Sequence, residues 1–200
     1  KRTENNLKSL NFFKNVNTQI LDGEKLNSKI INFKVTEKPT GEIMAGAGGG
    51  TEGGTVFFGV KENNYLGSGL SVDANASLSA EAFKGKFSVI NPNFKNSDKS
   101  TFFNIQAIEI DQLKDFGYKT NRTGFELGTG FEYLEDLNLN LSTSTFVEKI
   151  ETDSTASTRQ KSQAGNYFDT FAKFNFDYDK RNQKFRTSEG YRSNYNIQIQ

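Results

Sequence analysis

The chain lacks the side chains on which most catalytic and metal chemistry depends. Its 200 residues include no His and no Cys, which excludes imidazole acid-base catalysis, thiol nucleophiles, disulfides and the usual zinc ligands together. Two pairs of acids, Glu135 with Asp136 and Glu151 with Asp153, fall where strands are expected to end, so they are interpreted as solvated turn residues. We predict that the protein is not an enzyme and holds no metal and no cofactor.

A cluster of glycines is the second feature that could carry chemistry. It consists of Gly46, Gly48, Gly49, Gly50, Gly53 and Gly54. A phosphate-binding loop is excluded because no Lys-Ser/Thr pair and no helical pattern follow the cluster. Glycine inside a strand weakens the strand and lets another backbone approach closely. The sequence therefore predicts a weakly paired strand, made of Glu42, Ile43, Met44, Ala45, Gly46, Ala47, Gly48, Gly49 and Gly50.

The overall composition favours a sheet with one wet face over a compact globule. Only 34% of the residues are hydrophobic and 24% are charged, while 19 Phe, 7 Tyr and only 2 Pro do not describe a disordered chain. A transmembrane β-barrel fits because it needs apolar residues only at alternate positions. No apolar run approaches the roughly 20 residues of a membrane helix. The net charge of +1 gives no electrostatic footprint for nucleic acid.

Alternation of apolar and polar residues runs along most of the chain after Gly41. Its clearest example covers residues 70–79, where apolar residues at even positions alternate with polar residues at odd positions. In a strand this pattern places the two sets on opposite faces. We predict that the apolar set faces lipid and its neighbours face a hydrated lumen. The predicted lipid-facing residues are Val56, Phe58, Val60, Leu70, Val72, Leu78, Phe83, Phe87 and Val89.

About nine strands are expected after Gly41, and the fold class predicted is all-β, an antiparallel transmembrane barrel. Single-chain bacterial barrels have an even number of strands, so an odd count with alternation up to Gln200 predicts a partial barrel. In residues 101–111 the apolar phase slips between Ala107 and Ile108, which indicates either a β-bulge or a strand that leaves the membrane. Long polar connections are expected near residues 112–121 and 148–166.

The first 40 residues show a different pattern. Leu7, Leu10 and Phe13 have helical spacing, and residues 15–21 and 29–37 are expected to be two strands around a turn at Asp22 and Gly23. A helix end and a hairpin are too small to bury a core alone. The sequence predicts a boundary, with residues 1–40 in one module and residues 41–200 in the barrel.

Several short strings, in order and spacing, resemble the BamA-type family of outer-membrane assembly proteins. Residues 35–41 followed by residues 46–54 resemble that family's junction between its last periplasmic POTRA module and the first barrel strand. Two further segments resemble its first periplasmic turns, and residues 179–192 resemble a later one. The turn residues so identified are Asn63, Tyr65, Leu66, Gly67, Gly69, Asn91, Pro92 and Phe94.

The resemblance implies a sixteen-stranded barrel with a periplasmic arm that inserts client barrels into the bacterial outer membrane, of which this chain holds about half. Residues 1–40 would be the end of a POTRA module in the periplasm, and the glycine-rich strand would be one side of a lateral gate. A client strand would add to this edge by β-augmentation. The partners implied are client outer-membrane proteins, assembly lipoproteins and the lipid bilayer, with no nucleic acid.

Three alternative functions remain open at the level of sequence. A translocation barrel of the TamA type or of two-partner secretion shares the architecture but handles other cargo. A passive porin is a second alternative, and it should lack the hairpin before Gly41. A soluble β-sandwich adhesin is the third, and it should stay in solution without detergent.

Overall fold

The computed structural model describes residues 2–24, 28–50, 53–183 and 187–200. Helix α1 (Arg2–Ser9) comes first, and no helix in these ranges is long and apolar enough to cross a membrane. The strands are β1 (Phe13–Asp22), β2 (Lys29–Glu37), β3 (Gly41–Gly50), β4 (Gly53–Tyr65), β5 (Leu70–Ser79), β6 (Ala82–Asn91), β7 (Ser100–Gln112), β8 (Tyr118–Leu134), β9 (Leu137–Thr152), β10 (Gly165–Asp179) and β11 (Arg192–Ile199). Three short helices lie in the connections that the structure describes, a 3₁₀ helix (Phe94–Asn96), α2 (Leu113–Phe116) and α3 (Thr158–Ser162).

The strands form two antiparallel sheets. Strands β1 and β2 form a separate pair, and β3 to β11 form a nine-stranded sheet in which each strand pairs with its neighbours in sequence. This up-and-down order confirms the predicted all-β antiparallel architecture and the expected nine strands. The sheet is open within the described residues, with β3 at one edge and β11 at the other.

The N-terminal segment is a helix followed by a hairpin, as the sequence predicts. The helical spacing that included Leu10 and Phe13 extends too far, because α1 ends at Ser9 and Phe13 begins β1. Glu4 joins the two elements by accepting hydrogen bonds from Lys8 Nζ at 2.5 Å and Thr18 Oγ1 at 3.1 Å. The Lys8 contact is the main reason that the pKa of the Glu4 carboxyl is lowered. Assignment of this segment to a POTRA module stays a prediction.

The nine-stranded sheet has one apolar and one polar face. Directly paired residues share a face, and one set of such pairs runs Ala45, Phe58, Ala76, Gly85 and Ala107. We call the face that carries this set the apolar face and its opposite the polar face. Buried residues within the described strands of this sheet all lie on the polar face: Gly59, Ala82, Ser88, Gly130, Ser144 and Phe146. Because a single layer occludes side chains where it curls over them, the polar face is the concave one.

The apolar residues of the apolar face form a belt, which we call the apolar belt. It runs diagonally across the sheet, at an angle to the rows of directly paired residues. A row that is apolar on β3 to β6 becomes polar on β7 to β10, in the order Ala47, Val56, Leu78, Phe83, Glu109, Asn121, Lys149 and Asn166. The row of Glu62 shows the reverse, since it continues through Val72, Val89, Phe103 and Leu127. Strands that tilt by about 35–45° from the barrel axis produce this displacement. The belt therefore has the geometry of a tilted barrel.

The apparent phase slip in β7 is not a bulge. Strand β7 pairs in continuous register with β6 and β8, so the interpretation that remains is a strand that continues past the apolar belt. At its end Lys119 Nζ contacts Glu109 at 2.8 Å and Asp111 at 3.1 Å on the apolar-face side. These polar residues belong to strands, which is why the long connection expected near residues 112–121 is wrong: only α2 and Gly117 separate β7 from β8.

The connection after β9 is long and ordered. The Asp153 amide donates to Gly117 O at 2.9 Å, and Ala156 is buried. Asp153 Oδ1 accepts from the hydroxyl and the amide of Thr155, and these hydrogen bonds lower the pKa of its carboxyl. Helix α3 begins with a capping box between Ser157 and Gln160. The two connections at this end of the sheet are therefore held against each other.

Candidate functional site

The glycine-rich strand predicted from the sequence is β3, at one edge of the nine-stranded sheet. Its ten residues pair in unbroken antiparallel register with β4, from Gly41 opposite Glu62 to Gly50 opposite Gly53. Within the described chain β3 pairs with β4 alone. An edge strand offers a row of backbone N–H and C=O groups to another chain. The structure therefore places all nine predicted gate residues, Glu42 to Gly50, in one edge strand.

The end of β3 that lies farthest from the N-terminal module carries almost no side chains. Positions Gly48, Gly49 and Gly50 have open space where a Cβ would be, and so does Gly54 on the facing strand. Cross-strand side-chain contacts contribute most of the stabilisation of a strand pair beyond its backbone hydrogen bonds. This end is consequently held by backbone alone.

The middle of β3 is covered on the polar face by side chains from one strand or the other. The ring of Phe57 lies over Gly46, where an added Cβ would collide with it. Met44 Cε lies 3.2 Å from the position that a Cβ would take on Gly59. These two contacts cover the backbone that the glycines leave bare.

The other end of β3 is fastened by a group of hydrogen bonds that we call the entry clasp. Glu62 accepts from the Thr40 hydroxyl and from the Asn64 amide, the latter at 2.8 Å. Asn63 Nδ2 donates to Thr40 O at 3.3 Å. Just upstream, the Lys38 amide donates to Phe12 O at 3.0 Å and ties the segment to the N-terminal module. Strand β3 is thus fixed where it enters the sheet and uncovered where it ends.

The predicted turn residues build two compact connections. Between β4 and β5, Leu66, Gly67 and Gly69 have positive φ, and Asn64 Oδ1 accepts from the Gly69 amide at 2.8 Å. Glycine adopts this backbone conformation without strain. Between β6 and β7, Asn91 Oδ1 accepts from the Asn93 amide at 3.1 Å. The Phe94 amide donates to Lys99 O at 2.8 Å.

The structure brings the predicted lipid-facing residues together on the apolar face. The pairs that show this are Val56 with Leu78, Val72 with Val89, and Leu78 with Phe83. Several are strongly exposed, with Val56 and Phe58 both at 54%. The whole set is Val56, Phe58, Val60, Leu70, Val72, Leu78, Phe83, Phe87 and Val89.

The polar face holds ion pairs and hydrogen-bonded polar rows. Lys173 Nζ contacts Glu126 Oε1 at 3.0 Å, and Arg192 binds Asp177 through both carboxylate oxygens at 2.7 and 2.8 Å. Bidentate pairs of this kind fix the orientation of both side chains. Within the ranges that the structure covers, no cluster of three or more His, Cys, Asp or Glu could hold a metal ion.

Three contacts near the candidate site were not predicted from the sequence: the cover of Phe57 over Gly46, the Glu62 clasp, and a stack of Arg122 on Phe146 at 4.3 Å. Each joins neighbouring strands across a pairing register. The Gly and Phe residues can be read from the sequence one by one. Only the register of the strands shows which of them are in contact.

Comparisons with known proteins agree with this geometry. Residues 64–200, more than half of the chain, match the Omp85 superfamily domain. The fold is similar to the crystal structure of BamA from Haemophilus ducreyi lacking POTRA domains 1-3, with a TM-score of 0.72 and 21% identity over 98% of this chain. The chain covers 40% of the length of that BamA chain. With an antiparallel sheet of barrel geometry and this match, the chain belongs to the Omp85 superfamily, a family of outer-membrane proteins that insert or translocate other proteins.

Proposed function

We propose that the protein of which this chain is part assembles β-barrel proteins in the outer membrane, and that β3 is the strand to which clients add. The observation that carries this function is the uneven support of β3, which is clasped at Thr40 and Glu62 and bare from Gly48 to Gly50. A client strand would pair with the outer edge of β3 through main-chain hydrogen bonds. Backbone recognition suits clients of varied sequence and needs no cofactor.

The membrane supplies the driving force in this proposal. Each unpaired backbone group in hydrocarbon costs several kcal/mol, so a client strand that enters the bilayer is driven to complete its pairing. The apolar face would lie against lipid and the concave polar face would line the lumen. Residues 1–40 would lie in the periplasm, where clients and assembly lipoproteins would be met.

The bare end of β3 gives the gate its freedom of movement. Glycine loses more conformational entropy on ordering than other residues, so a strand that contains it opens at lower cost. The clasp keeps the base of β3 in register while the far end bends toward an incoming strand. A passive porin needs neither feature, and the helix and hairpin before Gly41 also favour an assembly or translocation protein over a porin.

The test uses the full-length protein with a Cys at Ala45 or Ala47, joined by a disulfide to a Cys on the last strand of its barrel. Locking this seam should abolish client insertion, and reduction should restore it. The matched control is a disulfide between Thr143 and Ala172 positions, which are directly paired inside the sheet, and it should leave insertion intact. Full insertion by the locked seam would reject the gate. Intact insertion with lost secretion of a soluble cargo would assign translocation instead.

A further inference from the structure

Basic side chains lie on the polar face of β6 and β8, which are three and five strands from β3 in the sheet. Lys84 pairs with Ile108 and Ile108 pairs with Arg122, so Lys84 and Arg122 are two strand spacings, or about 10 Å, apart. Lys86 lies one row farther along β6 on the same face. We call Lys84, Lys86 and Arg122 the basic wall.

The carboxylates nearby do not neutralise Arg122. Glu126, two residues along β8 from Gly124, is bound to Lys173 Nζ at 3.0 Å and to Ser142 Oγ at 2.9 Å. Glu148 is directly opposite Arg122 in the register. Among the described residues no ion pair joins Glu148 and Arg122 within 4.0 Å, because the guanidinium turns along the strand toward Phe146.

Arg122 is held in place by an aromatic ring. Its Cζ lies 4.3 Å from the centroid of the Phe146 ring, and Phe146 is only 6% exposed. Attraction between a guanidinium and an aromatic face fixes the plane of the cation. Its Nε is buried and has no hydrogen-bond partner in the part of the chain that the structure describes. With Nε buried, the two Nη groups are the donors that face a ligand, and a carboxylate with two oxygens matches the planar fork of a guanidinium.

Lys84 and Lys86 border a recess of about 420 Å³ that extends toward β3, and Arg122 lies one strand beyond Ile108 on the far border of this recess. The recess is bordered by Met44 and Phe57 on the gate side, and by Lys84, Lys86 and Gln106 on the other. One border is apolar and the other cationic. This mixture suits a peptide that carries both apolar and acidic side chains better than a small inorganic anion.

We propose that the basic wall binds an acidic segment of a client polypeptide, with Arg122 as its anchor. Lys84 and Lys86 would draw the segment toward the wall, and Met44 and Phe57 would contact its apolar side chains. The segment would thereby be held in the lumen, across the recess from β3, before its strand pairs there. This inference rests on the proposed function, because a client chain is the polypeptide that such a barrel brings to β3.

The test measures peptide binding by the full-length protein in lipid nanodiscs. The probe is a short fluorescent peptide with alternating Asp and Leu, and the comparison peptide has Asn at every Asp. We expect the acidic peptide to bind and the Asn peptide to bind at least about tenfold more weakly, since hydrogen bonds to a charged carboxylate are stronger than those to a neutral amide. Raising the salt concentration should weaken the binding of the acidic peptide.

Variants then locate the site. Arg122→Gln should lower the affinity for the acidic peptide by about tenfold or more. Arg122→Lys keeps the charge but loses the planar fork, so its affinity should lie between those of the Arg122→Gln protein and the unchanged protein. Phe146→Leu removes the platform without removing a charge, and it should also weaken binding. Lys149→Gln is the control, since Lys149 lies on the apolar face and should leave the affinity unchanged. Heat-modifiable migration of each variant checks that its barrel is folded.

Several results would overturn the proposal. Equal affinity of the Arg122→Gln protein, or equal binding of the two peptides, would reject the basic wall. Full displacement of the peptide by phosphate at an equal concentration would show that the basic wall is a site for small anions only, and would reject the peptide as its ligand. The disulfide-locked seam separates this inference from the gate: a locked protein that binds the acidic peptide but still inserts clients would reject the proposed function and keep the wall.

Discussion

The ring of Phe57 on β4 lies across the backbone of Gly46 on β3, its direct partner in the register. The same relationship recurs on the polar face between Phe102 and Gly128 and between Phe146 and Gly124, which are also direct partners. A ring laid over a glycine protects backbone hydrogen bonds that the glycine exposes. In the sheet interior these pairs reinforce strands that are already held on both sides. At β3 the ring is one of few side-chain contacts that keep the strand in place.

Removing the Phe57 ring should therefore loosen β3 selectively. Phe57→Ala is expected to destabilise the pairing of β3 and β4 by about 1 kcal/mol and to speed hydrogen exchange of the β3 amides several-fold. Exchange measured by mass spectrometry on the full-length protein in nanodiscs checks this. Phe102→Ala is the matched control, and it should speed exchange in β7 and β8 while β3 stays unchanged. Equal exchange of β3 in the two variants would contradict the role given to Phe57.

Stiffening the bare end of β3 should slow the gate. Gly48→Thr adds a strand-forming side chain where the structure has open space, so we expect slower exchange of residues 46–50 and slower client insertion. Gly46→Thr places its Cβ against the Phe57 ring and should instead speed exchange. If Gly48→Thr slowed exchange but left the insertion rate unchanged, opening of this end would not limit the reaction.

The two faces of the sheet should respond differently to a charge. Ala76→Lys puts an ammonium on the apolar face, where about 2–4 kcal/mol is lost near the bilayer midplane. Asn138→Lys puts the same group on the polar face, directly opposite Glu132 and Asp177, and should change stability by less than about 0.5 kcal/mol. Urea unfolding in lipid vesicles measures both. Equal losses would contradict the assignment of the faces.

The entry clasp predicts a local effect at the base of β3. Glu62→Ala removes the acceptor for the Thr40 hydroxyl and the Asn64 amide, so exchange of the amides of residues 41–43 should increase. Glu132→Ala is the control, because Glu132 likewise accepts from a turn amide, that of Asp136 at 3.1 Å, but far from β3. Client insertion should fall only in the Glu62 variant. Unchanged hydrogen exchange at residues 41–43 would show that the entry clasp does not hold the base of β3.

Alternation alone was enough to predict the architecture. Once Leu70 to Ser79 is read as a strand with two faces, the other strands after Gly41 can be counted in the same way, and the sheet of the described residues has the same nine. The ends of the strands could not be predicted where polar residues continue a strand beyond the apolar belt. Lys119 and Asn121 looked like loop residues because their strand leaves the belt there, although their backbones stay paired with β7 and β9.

The candidate site could be located but not understood from the sequence. Six glycines within residues 46–54 identify the weak strand, since composition is a local property. The cover by Phe57, the Glu62 clasp and the Arg122 stack depend on register, and register joins residues that are distant in sequence. Alternation already predicts that Phe57 faces the lumen between Val56 and Phe58, and only the pairing shows that its ring lies over Gly46.

The most direct test of client addition at β3 is a cysteine crosslinking map between β3 and the last strand of a client stalled during insertion. Ile43, Ala45 and Ala47 share one face of β3, while Met44 and Gly46 share the other. If the client strand pairs with this edge, a client cysteine on one face should crosslink to cysteines at positions 43, 45 or 47 and not at 44 or 46. A client cysteine one residue along should show the opposite set. Crosslinks without this alternation, or none to β3 while insertion proceeds, would contradict β-augmentation at this strand.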